Sequence, residues 1–264
     1  MDSLETLDKY VLFSHENIPD ALKRFKALVG SFVPSSVEDA NPAFVPAVFH
    51  YYCILRYNQG IRYYFNTLRS RGAKKAEIAD IIALSWLHSS PFGMNVVATM
   101  LHDVMHELDA DEGAGLPWPD DWQVDPEAFS SGVDFSAANG DNAISRDDLE
   151  KIEHWHERVE GEVPRYVSFL AKYNPLALKA FRARFETSTQ RRTLPKQAIA
   201  SCFVQYASVT GQPDALRRAL HMARSFGVKR DHVVTLFSLN LVYNGHVQMD
   251  RAIEGVEQLL AGWD

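Results

Sequence analysis

Cysteine is scarce in this chain. Only Cys53 and Cys202 occur among its 264 residues. Two cysteines cannot make a disulfide framework or a cysteine-based metal site, so a reducing, cytoplasmic setting is expected. Long apolar runs are missing too. No stretch approaches the ~18 residues that cross a bilayer, so no membrane partner is expected. The opening MDSLETLDKYVLF has early acids and no long apolar centre, so no secretory signal peptide is expected. Alternating apolar runs bounded by hairpin turns are absent, which argues against strands. Positive charge is missing from one region. Between Lys75 and Arg146 there is no Lys or Arg, while that stretch carries 13 of the 34 acids. The remainder then holds 27 cations against 21 acids, within a net charge of −7. This balance makes a nucleic-acid partner unexpected. The acidic block reads as a solvated connection.

What is present is helical periodicity, and it recurs. Residues 62–105 and 217–260 align without a gap at an offset of 155. Arg62/Arg217, Arg69/Arg224, Ser70/Ser225, Gly72/Gly227, Lys74/Lys229, Leu84/Leu239 and Met94/Met249 are identical pairs. Ala73/Val228, Lys75/Arg230 and Ile78/Val233 are conservative ones. Self-similarity at a fixed offset predicts one supersecondary unit used twice. The expected fold is therefore all-α, with tandem helical units packed as one compact body. The 46% hydrophobic content is enough for a core. An N-terminal unit is expected over residues 1–108 and a C-terminal unit over 145–264.

The helices are punctuated by familiar signals. Helices are predicted over 44–57 and from Asn58-Gln59-Gly60 to a stop at Gly72. Further helices run over 75–88 and, after Pro91, to about Leu108. In the second half, helices are predicted over 164–172, 175–185, 195–209, 213–226, 229–243 and 246–260. Ser145-Arg146-Asp147-Asp148 reads as a capping box opening a helix over 147–160. Residues 109–144 carry several Gly and Pro with Trp118 and Trp122. Two tryptophans argue against simple disorder, so this segment is expected to pack over a neighbouring surface.

The runs ALRRALHMARSFGVKRDHVV and LVYNGHVQMDRAIEGVEQLL, with Tyr243-Asn244-Gly245 and the upstream Tyr173-Asn174-Pro175, carry a family resemblance. The region 175–262 resembles the carboxymuconolactone decarboxylase and alkylhydroperoxidase D-like family. Residues 44–107 match less well, and the likeness spans about two thirds of the chain. It implies an all-α fold, assembly into homo-oligomers, and a cofactor-independent lyase or isomerase acting on a small ring-derived organic acid or lactone. The peroxidase members carry Cys-x-x-Cys with a His three residues on. Here those positions hold Pro213, Leu216 and Ala219, and in the first unit Asn58, Ile61 and Tyr64. Without the dithiol, that peroxidase chemistry is excluded. Ala219 and Tyr64 also remove the histidine kept by the decarboxylase branch, and Gln197 stands where an upstream acid is common.

Proton chemistry on a small acid needs an anchor for the carboxylate, a proton donor, and exclusion of water. Histidine suits the donor role near neutral pH. His50, among tyrosines on an apolar helix, reads as a pocket residue or as a core imidazole bonded to a carbonyl. His88 and His246 fall at the helix-to-helix turns of the two units, and Tyr243 stands at the position equivalent to His88. Tyr206 is polar within an apolar helix. The candidate catalytic set is therefore His50, His88, Tyr206, Tyr243 and His246, each set against a capping or core role. No cofactor is expected. His102 and His106, four apart, have metal-ligand spacing but lack HExxH and a third ligand, so no metal is expected. His154 and His156 read as surface residues, Cys53 as inert packing, and the matched arginines as surface ion pairs rather than a carboxylate clamp. The alternative to an enzyme is a non-catalytic binding or assembly protein that kept the fold and lost the motif.

Overall fold

The fold is described from a computed structural model for residues 12–32, 41–109, 112–135, 144–238, 240–243, 245–253 and 256–263. Among these residues the only regular structure is helix, and no helix is long and apolar enough to cross a membrane.

Two helices form the centre, one because it is apolar on nearly every side and the other because its residues are mostly small or apolar with no charge beyond its first residue. Phe44–Leu55 (α2, after α1 at Pro19–Phe32) buries Val45, Ala47, Val48, Phe49, His50 and Cys53. Lys196–Thr210 (α9) is buried along most of its length, with small residues Ala198, Ala200, Ser201 and Ala207 at the contact. Helices without a charged face belong in an interior, and these two pack on each other.

Each central helix is wrapped by the helices that follow it in sequence. Asn58–Ser70 (α3), Lys75–Ser85 (α4) and Pro91–Glu107 (α5) contact α2. Pro213–Ser225 (α10), Arg230–Ser238 (α11) and Gly245–Ile253 (α13, after α12 at Asn240–Tyr243) contact α9. Helices α3 and α10 are amphipathic. Ile61, Phe65 and Leu68 face inward from one; Leu216, Leu220 and Ala223 face inward from the other. One apolar cluster runs from Val45 to Trp263 through both sets.

The local geometry recurs at an offset of 155. Helix α2 ends at Arg56 with φ 59°, and α9 ends at Gly211 with φ 60°. Arg56 is the one non-glycine residue in this left-handed region among the described residues, a conformation usually left to glycine. Gly72 (φ 89°) and Gly227 (φ 78°) close α3 and α10. The Ala73 amide then donates to Leu68 O at 3.0 Å, and the Val228 amide to Ala223 O at 2.9 Å.

Helix ends differ from the expected ones where turns tighten. Helix α4 stops at Ser85, and the His88 amide donates to Ser85 O at 3.2 Å. His88 is thereby carried off the helix on a turn. The predicted helix over 246–260 is two pieces, Gly245–Ile253 and Glu257–Ala261 (α14).

The acidic connection is pinned along the body. Glu77 accepts the Lys74 amide at 2.8 Å, the Leu116 amide at 3.1 Å and Trp118 Nε1 at 3.3 Å. The Gly115 amide donates to Gly72 O at 2.9 Å. Trp118 and Trp122 stack with centroids 5.8 Å apart. Lys196 Nζ reaches Asp125 at 2.8 Å, and this lysine holds the Asp125 carboxyl below the usual range. Gly113 is the tightest point: it has φ +106°, and a Cβ there would lie 2.5 Å from Gly72 O. Gly113→Ala is expected to cost about 2 kcal/mol or more of stability, from strain and collision together. Urea unfolding measures this, and a loss below about 0.5 kcal/mol would mean the strap is not held as described.

Candidate functional site

The turn that carries His88 meets the second helical set at a cavity of about 260 Å³. Its aromatic walls are Tyr166 of α7 (Arg165–Tyr173), Phe181 and Phe185 of α8 (Pro175–Thr189), and Phe203 and Tyr206 of α9. Glu160, at the end of α6 (Arg146–Glu160), and Arg218 and Ala219 of α10 complete it. Mostly apolar walls with a few polar groups are the usual makeup of a small-molecule site, and this volume lies just below the ~300–1,000 Å³ of drug-sized pockets. It suits a compact, single-ring ligand.

On one wall His88 stacks on Tyr206, with centroids 4.3 Å apart and planes 25° from parallel. Phe203 meets the His88 ring edge-on at 5.3 Å. His88 Nε2 is enclosed and has no hydrogen-bond partner. Burial, and then the Arg184 charge, bring the His88 pKa down to about 4, so the ring is neutral at pH 7. Arg184 donates to the Trp86 carbonyl and lies over the Trp86 ring at 5.5 Å, anchoring the turn that bears His88. Burial raises the Tyr206 pKa.

His50 lies behind this pair rather than in the cavity lining. Its ring is edge-on to His88 at 5.8 Å and to Tyr206 at 6.3 Å. It is fully buried, and neither nitrogen has a hydrogen bond of good geometry. The Leu84 carbonyl gives only partial compensation. Desolvation, then the neighbouring His88, hold its pKa well below the ordinary value.

Glu160 and Tyr166, also in the lining, are backed by a residue that the sequence did not single out. His156 is 2% exposed, not a surface residue, while His154 is exposed. It lies on the buried stripe Ile152, Trp155, His156, Val159 of α6. That i, i+3, i+4, i+7 spacing is the signal that could have revealed it. His156 Nδ1 is 2.7 Å from Glu160 Oε2, and Tyr166 Oη is 3.5 Å from His156 Nε2. Arg218 Nη1 donates to Glu162 at 3.2 Å, and its Nε is 3.9 Å from Glu160.

Of the other expected residues, His246 is exposed on α13 and does not line this cavity. The side chain of Tyr243 lies outside the described residues. His102 and His106 are exposed and border a separate hollow of about 340 Å³ with Met94 and Met105. Among the described residues no three His, Cys, Asp or Glu side chains are grouped to hold a metal. Of the matched arginines, Arg62 and Arg224 are exposed and Arg217 pairs with Asp214 at 2.8 Å, whereas Arg69 is largely covered and holds both Glu112, at 2.5 Å, and the Ala73 carbonyl, at 2.6 Å. Cys53 and Cys202 are buried, and burial pushes both thiols up, Cys202 to about 12. Such thiols are not nucleophiles at neutral pH.

Compared with protein-family models, with curated proteins and with solved structures, the chain matches none.

Proposed function

We propose that the protein is a cofactor-independent lyase or isomerase acting on a small ring-derived organic acid or lactone, with the aromatic cavity as its active site. The observation that carries this reading is the meeting of a neutral, incompletely bonded His88 with Tyr206 in a small apolar cavity. A ring substrate would lie against Phe181, Phe185 and Phe203. Arg218, the cation in the lining, would attract a carboxylate. A neutral imidazole in a water-poor site can donate a hydrogen bond to an oxygen that gains charge during the reaction.

The reading also takes the chain as a duplicated helical unit of the carboxymuconolactone decarboxylase and alkylhydroperoxidase D-like kind. The 155-residue offset of paired helix ends supports it: α3 and α10 are both 13 residues, separated by that offset at each end. So does the position of Ala219. It occupies the place of the family histidine, and it lines the cavity.

The test offers the purified protein γ-lactones that bear a carboxymethyl arm and follows them by NMR. Binding with turnover is expected, and His88→Asn should lower turnover about 100-fold with the fold intact. Binding without turnover would favour the non-catalytic alternative. No binding would remove the cavity's claim to such ligands.

A further inference from the structure

Two residues of the cavity lining, Tyr166 and Glu160, are joined through a third that lies behind them. Glu160 accepts from His156 Nδ1 at 2.7 Å, and Tyr166 Oη stands 3.5 Å from His156 Nε2. The carboxylate fixes the tautomer: with the proton on Nδ1, Nε2 is free to accept from the tyrosine hydroxyl. The arrangement is hydroxyl, imidazole, carboxylate in sequence, the logic by which a weak acid is made into a base. Both inner members are enclosed, His156 at 2% and Glu160 at 9% exposure. Tyr166 shows part of its ring to solvent but turns its hydroxyl inward, where burial raises its pKa. A hydroxyl so disfavoured as a free phenolate gives up its proton only as it takes another.

We propose that Tyr166, backed by His156 and Glu160, is the proton-transfer group of this cavity, and that its reaction is isomerisation of a ring acid or lactone rather than loss of carbon dioxide. This rests on the reading of the cavity given above. Decarboxylation generates its own carbanion and needs only a donor to quench it. A base relay is required when a carbon-bound proton must first be removed. In the step, a C–H proton beside the substrate carbonyl passes to Tyr166 Oη, and the Tyr166 proton passes to His156 Nε2. The C–H electron pair moves into the carbonyl and gives an enolate, which accepts a hydrogen bond from a neutral His88 N–H. The His156 imidazolium is held by the Glu160 carboxylate. The return path delivers the proton to the far carbon of the conjugated system, the electrons flow back, and the double bond has moved. No electron or proton is gained or lost overall. Tyr166 and His88 are the catalytic residues, one moving the proton and one holding the enolate; His156 and Glu160 act through Tyr166.

Two measurements on the full chain decide the matter. The first is long-range nitrogen–proton NMR of protein labelled at histidine. His156 is expected with its proton on Nδ1 and a bare Nε2, and Tyr166→Phe is expected to shift the Nε2 resonance. A proton on Nε2, or no response to Tyr166→Phe, would overturn the relay whatever the ligand. The second is deuterium uptake from D₂O into a β,γ-unsaturated γ-lactone with a carboxymethyl arm, beside the probe's dissociation constant. Uptake with migration of the double bond is expected in the wild type. Tyr166→Phe should lower uptake about 100-fold, and Glu160→Gln about 10-fold, with binding within about threefold of wild type. A purely structural role would move binding and stability together. Variants that keep the wild-type rate sink the relay and leave the cavity reading standing. A wild type that binds the probe without uptake sinks the isomerisation. One that does not bind it sinks the cavity reading first, and the isomerisation with it.

Discussion

On acidification from pH 7 to pH 4 the protein is expected to lose about 3 kcal/mol of stability through His88 alone. The unfolded chain carries this imidazole near its ordinary pKa of 6.5, while burial and Arg184 bring it to about 4 in the fold. Between those values the unfolded state binds the extra proton and the folded state does not. Stability from this group is therefore complete above pH 6.5 and declines as pH falls toward 4. His50, fully buried and shifted in the same direction, adds to the loss. Asp125 contributes only at lower pH, where its Lys196 partner no longer keeps it ionised. Asp80 opposes the trend, since burial raises its pKa and protonation favours its folded form. The measurement is urea unfolding at several pH values for wild type and His88→Phe, which keeps a ring on Tyr206. Their difference cancels the carboxylates. Equal pH slopes for the two proteins would show that His88 is not held neutral.

Arg182→Met is expected to cost about 3–5 kcal/mol, a large part of the 5–15 kcal/mol that holds a typical domain together. Arg182 is 1% exposed. Its Nε donates to Glu186 at 2.7 Å and its Nη2 to Phe129 O at 2.8 Å. The guanidinium lies 4.0 Å over the Trp155 ring and 4.8 Å over Phe185. Burial lowers its pKa, and Glu186 offsets that. Glu186 in turn accepts the Ser131 amide at 3.0 Å and the Ser131 hydroxyl at 2.5 Å. This one pair thus ties α8 to the end of the acidic strap. Removing the arginine leaves a buried carboxylate without its cation, which is the costly outcome. Arg182→Met with Glu186→Gln is expected to recover part of the loss, because the amide oxygen still accepts from Ser131 without a charge. Thermal and urea unfolding of the single and double variants test this. A single-variant loss below about 1 kcal/mol would deny the pair its structural role.

The helices were legible because their signals are local. Gly72 and Gly227 stop helices with a positive φ that favours glycine. Ser145 opens α6 by accepting the Asp148 amide at 3.0 Å, which is the forward half of the expected capping box. The expected packing of 109–144 over a neighbour is seen over the described part, where the two tryptophans and Glu77 make the contact. No described residue of this segment lines the cavity at His88. Two residues of the cavity lining carry local signals: His88 falls at a helix-to-helix turn, and Tyr206 is polar in an apolar helix. His156 was missed because two histidines two residues apart look like a solvated pair. The apolar stripe Ile152, Trp155, Val159 buries one of them.

By itself the sequence determined helix over strand, the stops at Gly72 and Gly227, and the 155-residue recurrence of its own pattern, because periodicity and capping act over a few neighbours. Tertiary structure alone decided which polar groups meet. It set His88 on Tyr206 and His50 behind them, and it joined Tyr166 to Glu160 through His156, while leaving His246 in solvent. Those contacts depend on how α2, α6, α7, α9 and the turn after α4 come together, and burial there changes the chemistry of the groups. A histidine that would titrate near neutrality in water stays uncharged once its nitrogens are enclosed.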